Sequence, residues 1–268
     1  MNHPHNEEAP TRLKKKNLWL ALSLLLAILA AVGAILFFAE RLLFSRNERF
    51  LLRRIEVRSE QGGYWNGRDD RVAEQLQLRP DRDNLWEMDL RKLRERLLRH
   101  PSIRTCTMKR VLPETLSVAI VERLPRAALG NPGSPYLLSD DLVVLPRAET
   151  MPVTGNLPVL TGFAPNFRTH PGALCPQAEA AMNLLMEILR NYPDLAAVHL
   201  DISSRDKLKT TLRYRNRYLY QVTFPTEGRF DYLLGVVQSA IIGLLRNGDE
   251  RHVLDVSFNG QIVIRERQ

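Results

Sequence analysis

Side chains able to do chemistry are present in this chain but are spaced too far apart to form a familiar motif. His100, His170, His199 and His252 lie far apart with no H-x-x-x-H spacing, and the two cysteines, Cys106 and Cys175, form no C-x-x-C. A tetrahedral metal site needs four convergent ligands, so these residues predict packing or surface roles rather than zinc. Cys106 falls on an expected strand and Cys175 ahead of an expected helix, and whether the two pair stays open. Gly133-Ser134 comes nearest to a nucleophile turn, but it sits among prolines and lacks the rest of G-x-S-x-G. Asp140-Asp141 could supply the two carboxylates of a glycosidase, yet adjacent acids read better as a turn. Neither G-x-x-x-x-G-K-[ST] nor G-x-G-x-x-G occurs, so no phosphate cradle is expected. The run Arg213-Tyr214-Arg215-Asn216-Arg217-Tyr218 interleaves basic and aromatic residues as a nucleic-acid surface would, but it also suits the solvated tip of a hairpin, and no nucleic acid is expected. The reading is therefore of a protein without a catalytic or cofactor site, acting through its surfaces.

What positions those surfaces begins with Leu18–Ala39, 22 residues without a charge. As a helix this run would reach about 33 Å, enough to cross a hydrocarbon core. A cleaved signal peptide would have a shorter apolar core and a small-x-small site, whereas this run ends Phe37-Phe38-Ala39-Glu40. Arg12 and Lys14, Lys15 and Lys16 precede it in a short tail, while Arg41, Arg46 and Arg49 follow. That pattern predicts a single-pass protein with a cytoplasmic N-terminus, because long downstream domains cross largely regardless of charge. The net charge of +8 is spread over 38 basic and 30 acidic residues and singles out no partner.

Downstream, Ile55 and Val57 alternate with charges as in a half-buried strand, and Gly62 to Gly67 form a turn. Asp69–Leu78 and a segment from Asp89 through Leu90, Leu93 and Leu97 read as short helices, the first ending before Pro80 and the second at Pro101. Strands are expected at 103–110 and 116–122, with Leu116, Val118 and Ile120 on one face. Beyond Arg126 the pattern is mostly β: a proline-rich extended stretch from Pro146 to Pro176, helices at 177–190 and 230–246, and strands at 198–202, 208–214, 218–224, 253–258 and 261–265. Asn259-Gly260 between the last two is a strong hairpin signal. The fold class expected is α+β: a transmembrane helix, a β-α-α-β-β domain, then a mainly antiparallel β domain with two helices.

Several segments resemble a POTRA domain of the FtsQ/DivIB type. They are Asn84-Leu85-Trp86-Glu87-Met88-Asp89-Leu90, His100-Pro101-Ser102-Ile103, Lys109 to Leu116, and Val121-Glu122-Arg123-Leu124-Pro125-Arg126-Ala127. Tyr136 to Asp140, Leu157 to Gly162 and Val253 to Val256 follow in the order that family shows. The chain departs from the pattern after its first strand, where Ser59-Glu60 and a longer loop replace the usual glycine. The resemblance implies a layout of cytoplasmic tail (1–17), transmembrane helix (18–39), POTRA domain (50–125) and beta domain (126–268). It also implies a non-enzymatic scaffold in the inner membrane at the division septum, with most of its mass outside the cytoplasm. Its partners would be bitopic, FtsB- and FtsL-like division proteins, acting with the septal peptidoglycan synthase complex. Carried over by position, the partner-binding residues would be Glu122, Leu254, Asp255, Phe258, Ile262, Val263 and Ile264. Two other readings compete with it: a membrane-tethered cell-wall hydrolase, and a POTRA module of an outer-membrane assembly or secretion system. The latter would be followed by alternating strands of a barrel, which are not evident.

Overall fold

The structure is a computed structural model that describes residues 11–40, 48–60, 63–152, 155–249, 253–258 and 261–265. It is an α+β molecule. Helix α1 covers Thr11–Glu40. Among the described residues no helix is long and apolar enough to cross a membrane.

The chain divides into two compact units. The first comprises residues 1–55, 78–89 and 110–116. Its described part is held by backbone pairing: Leu52 donates to Asp83, Arg53 to Glu114, and Leu85 to Phe50. The Arg110 guanidinium donates to the carbonyls of Leu85 and Met88, so one long side chain caps the 84–89 turn.

The second unit comprises residues 56–77, 90–109 and 117–268. Most residues of strands β1 (Arg54–Ser59), β2 (Ile103–Val111) and β3 (Thr115–Glu122), which form a three-stranded sheet in the order β1–β3–β2, belong to it. Its helices are α2 (Asp69–Leu76) and α3 (Leu90–Leu97), close to the spans expected from periodicity. Asp69, an acid at a helix start, also accepts from the Val57 amide at 2.9 Å, which ties α2 to β1. β3 alternates strictly, with Leu116, Val118, Ile120 and Glu122 buried.

Nine strands make the larger sheet: β4 (Pro125–Leu129), β5 (Tyr136–Ser139), β6 (Val144–Pro146), β7 (Val159–Thr161), β8 (Leu195–Asp201), β9 (Lys207–Tyr214), β10 (Tyr218–Pro225), β11 (Val253–Phe258) and β12 (Gln261–Arg265). Their order is β12–β11–β10–β9–β8–β7–β4–β5–β6. Helices α4 (Glu179–Asn191) and α5 (Phe230–Arg246) present Leu184, Leu185, Ile188, Leu234, Val237 and Ile241 to one core shared with alternate residues of β9, β10 and β11. The sheet is mixed, which narrows the expectation of a mainly antiparallel one. β7–β8 and β10–β11 run parallel, as does β4–β7. The remaining neighbours are antiparallel. Parallel neighbours need a crossover rather than a turn, and α4 and α5 supply it for the first two pairs.

Candidate docking edge

Among the described residues β12 is the outermost strand of the large sheet and pairs only with β11. Five residues long, it reads Gln261-Ile262-Val263-Ile264-Arg265, and β-branched residues of this kind suit a pleated, half-buried ribbon. Ile262 and Ile264 pack on the core that α5 covers, which places Val263 on the other face, half-exposed. Of the residues in β11, Leu254 is buried in that core and Asp255 is buried at 9% exposure, whereas Phe258 is 46% exposed. The candidates are thus brought to one end of one sheet, but they divide by role: Leu254, Ile262 and Ile264 hold the hairpin down, while Val263 and Phe258 face outward. The turn at Asn259-Gly260 lies outside the described residues. The strands flanking it pair antiparallel, with Phe258 opposite Gln261.

The hairpin is not regular. Asp255 opposes Val263 and Phe258 opposes Gln261, so β11 carries one more residue than β12 over this interval, a bulge. The Asp255 carboxylate organises it: Oδ1 accepts from the Ser257 amide at 3.0 Å and from its hydroxyl at 2.5 Å. Its other oxygen lies 3.9 Å from Nζ of Lys207, whose ammonium also sits 4.9 Å from the Phe258 ring centroid. A short polar side chain at a bulge, a cation on β9 and an exposed aromatic ring therefore form one patch at the sheet corner. Lys207 and Ser257 were not singled out in the sequence, because nothing local marks a lysine on β9 as a neighbour of β11.

Glu122 lies elsewhere, at the end of β3, and is 1% exposed. Its alternation with Leu116, Val118 and Ile120 puts a carboxylate at a core position. The backbone amides of Tyr64 and Trp65 satisfy it, donating at 2.9 and 2.8 Å. A Cβ at Gly63 would come within 2.5 Å of the same carboxylate, so the glycine is what lets the 63–65 loop close over it. Glu122 shapes this loop and has almost no surface to offer a partner.

Next to Glu122, Arg123 donates from Nη1 to the carbonyls of Pro101 and Ile103 at 2.8 and 2.6 Å, and from Nε to Asp141 at 2.8 Å. Arg104 lies 3.3 Å from Asp140. Burial raises the Asp141 pKa, but the Ser139 hydroxyl, Arg123 and Arg104 outweigh it and hold the carboxyl below its ordinary value. The Asp140-Asp141 pair does sit at the β5–β6 turn, where Leu142 takes a positive φ of 62°. It is also the anchor for two distant arginines, a role its spacing did not reveal.

Cys106 and Cys175 are both buried free thiols, and burial pushes each thiol pKa up. His199 contacts the Thr161 hydroxyl at 2.9 Å across β7–β8. Among the described residues no group of three or more histidines, cysteines or carboxylates converges as a metal site would require.

Residues 62–123 match the family model of the POTRA domain, FtsQ-type. The chain carries an FtsQ-type POTRA domain. A cell division protein FtsQ from Geobacter sp. (strain M21) is 28% identical over 122 residues, which is 44% of this chain and 44% of that protein. The similarity therefore spans less than half the length of this curated relative. Both findings are likenesses to FtsQ-type proteins, the first over residues 62–123 and the second over 122 residues.

Proposed function

We propose that the chain is a membrane-anchored, non-enzymatic scaffold of the bacterial division machinery, whose β12 edge receives a strand from another bitopic, FtsB- or FtsL-like division protein. The observation that carries the reading is the outer position of β12, which among the described residues is paired on one side only. An edge strand presents a row of backbone donors and acceptors, and an added strand takes affinity from those groups and specificity from alternate side chains. Val263 and Phe258 are the candidates that would meet such a strand. The named function of the Geobacter relative supports the division setting.

The anchor is residues 18–39. In α1 the large side chains are exposed on every side, Leu24 at 64%, Leu25 at 55%, Leu26 at 72% and Ile28 at 52%, although successive helical positions point about 100° apart. A helix apolar all round belongs in lipid or in a large core. Residues 1–17 then lie in the cytoplasm, the helix of residues 18–39 in the inner membrane at the septum, and the POTRA domain (50–125) and beta domain (126–268) outside the cytoplasm.

The test uses the intact chain purified from membranes with its partners. Along an antiparallel edge, backbone N–H groups point alternately inward and outward, so of Val263 and Ile264 one donates to β11 and the other faces out. Proline removes the donor and is tolerated only on the outward side. One of Val263→Pro and Ile264→Pro should therefore leave the protein folded yet lose the partner from co-purification. If the folded one retains its partner, strand addition at β12 is wrong.

A further inference from the structure

A second buried network, unrelated to the docking edge, centres on His100. The Trp65 indole Nε1 donates to the Ser102 hydroxyl at 2.8 Å. That hydroxyl lies 2.8 Å from Nδ1 of His100, and the Ser102 backbone amide also donates to Nδ1, at 3.3 Å. On the other side of the ring, Nε2 lies 3.0 Å from Oε2 of Glu149. A backbone amide can only donate, so Nδ1 must present its lone pair. The ring proton then sits on Nε2 and is given to the carboxylate. The hydrogen bonds thus run in sequence from Trp65 through Ser102 and His100 to Glu149, and they require a neutral imidazole.

Ser102 is completely buried, so this Ser-His-Glu arrangement cannot meet a substrate and is not a hydrolytic triad. What it joins is more informative. His100, Ser102 and Trp65 belong to the POTRA region, whereas Glu149 lies in the 3-10 turn Arg147–Glu149 that follows β6. The His100 side chain is 12% exposed and borders a cavity of about 380 Å³ that opens between Tyr64, Arg71, Glu74 and Glu149, so a proton from solvent can reach it.

We infer that His100 is a pH-sensitive latch under the 147–149 turn: acid adds a proton at Nδ1, turns that acceptor into a donor and ends the two bonds it accepts from Ser102, while the Nε2–H bond to Glu149 is kept and becomes charge-assisted. With Nδ1–H facing the Ser102 amide, two donors oppose each other. The serine hydroxyl must turn its own proton away, so that its oxygen accepts from Nδ1–H as well as from the Trp65 indole, and the indole bond is altered. The charged and titratable groups facing the ring are Glu149 from the turn, Arg71 and Glu74 from α2, and the Tyr64 phenol from the loop. Arg123 holds the adjacent Pro101 carbonyl at 2.8 Å. Glu149 favours the protonated ring, but burial is the larger influence and lowers the His100 pKa. The sign follows from linkage. The unfolded chain takes up its proton near the ordinary value of about 6.5, and the folded chain only at lower pH. The closed network is therefore fully stable above about pH 6.5 and loses stability as the pH falls from there through the folded pKa.

The test follows the Trp65 indole N–H resonance in the full chain held in detergent micelles. Trp19→Phe and Trp86→Phe leave Trp65 as the sole tryptophan. The expected result is a one-proton transition with a midpoint below about 6.5 as the pH is lowered from about 8 to 4.5. The resonance should shift as the indole comes to share its acceptor with Nδ1–H. His100→Gln should abolish the transition. Glu149→Gln should shift the midpoint further down, since it removes the group that favours the charged ring. If His100→Gln does not fold, the Glu149→Gln shift decides. A flat titration, a transition that survives His100→Gln, or a midpoint that stays or rises in Glu149→Gln would overturn the latch.

Discussion

Replacing Glu122 separates a partner-binding role from a structural one, because its carboxylate is nearly inaccessible and satisfies two backbone amides, those of Tyr64 and Trp65. Glu122→Ala leaves both donors unpaired in a buried site. At about 1–3 kcal/mol for each orphaned group, the loss is about 2–6 kcal/mol. Glu122→Gln keeps one carbonyl oxygen as acceptor and should cost about half as much. With about 2–4 °C of melting temperature per kcal/mol in domains of this size, the central expectation is a drop of about 8–16 °C for alanine and about 4–8 °C for glutamine. Thermal unfolding of the full chain in detergent, followed by near-ultraviolet circular dichroism, reads both. Gly63→Ala should destabilise the wild type, since its Cβ would fall 2.5 Å from the Glu122 carboxylate. In the Glu122→Ala background the same change should cost much less, because the obstructing atoms are gone. A change within about 0.5 kcal/mol for Glu122→Ala, as at an ordinary surface site, would refute this account of the loop.

Other outcomes are expected. Arg123→Ala strands the carbonyls of Pro101 and Ile103 and leaves Asp141 with less compensation, at a cost of about 2–4 kcal/mol, measurable by denaturant unfolding. Asp141, held below its ordinary pKa, contributes stability that is present above about pH 4 and lost as the pH falls through its folded value. Arg123→Ala should flatten that acid limb of the stability curve. A fluorescent reporter active only in the cytoplasm should be bright at the N-terminus and dark at the C-terminus, and the reverse would remove the compartment from the proposal. A fragment of residues 50–130 should fold but melt lower than the full chain, because it lacks Asp140, Asp141 and Glu149, the partners of Arg104, Arg123 and His100.

How much of this was legible depends on how local the signal is. Leu116, Val118 and Ile120 marked the inner face of β3, and the same alternation run one step further places Glu122 inside, although its charge argued for a surface. The face of α5 was readable because Phe230, Leu233, Leu234, Val237, Ile241, Leu244 and Leu245 repeat at helical spacing. β6, which ends in Pro146, and β7, which follows Pro158, are three residues long, too short for a period to show. The parallel pairing of β7 with β8 and of β10 with β11 is set by helices packing between them, which no window on a single strand reports. The same limit hid Lys207 beside Phe258, Arg123 beside Asp141, and His100 beside Glu149, since each pair is distant in sequence and meets only through the fold.

The most direct test of the central claim is site-specific photocrosslinking in growing cells. A photoreactive amino acid is placed at Val263, at Phe258, and at Leu189, which is 56% exposed on α4 away from β12. Strand addition at β12 predicts adducts with a single-pass division protein from Val263 and Phe258 and none from Leu189. Adducts from Leu189 alone, or none from Val263 and Phe258 while the partner still co-purifies, would place docking elsewhere and contradict the account.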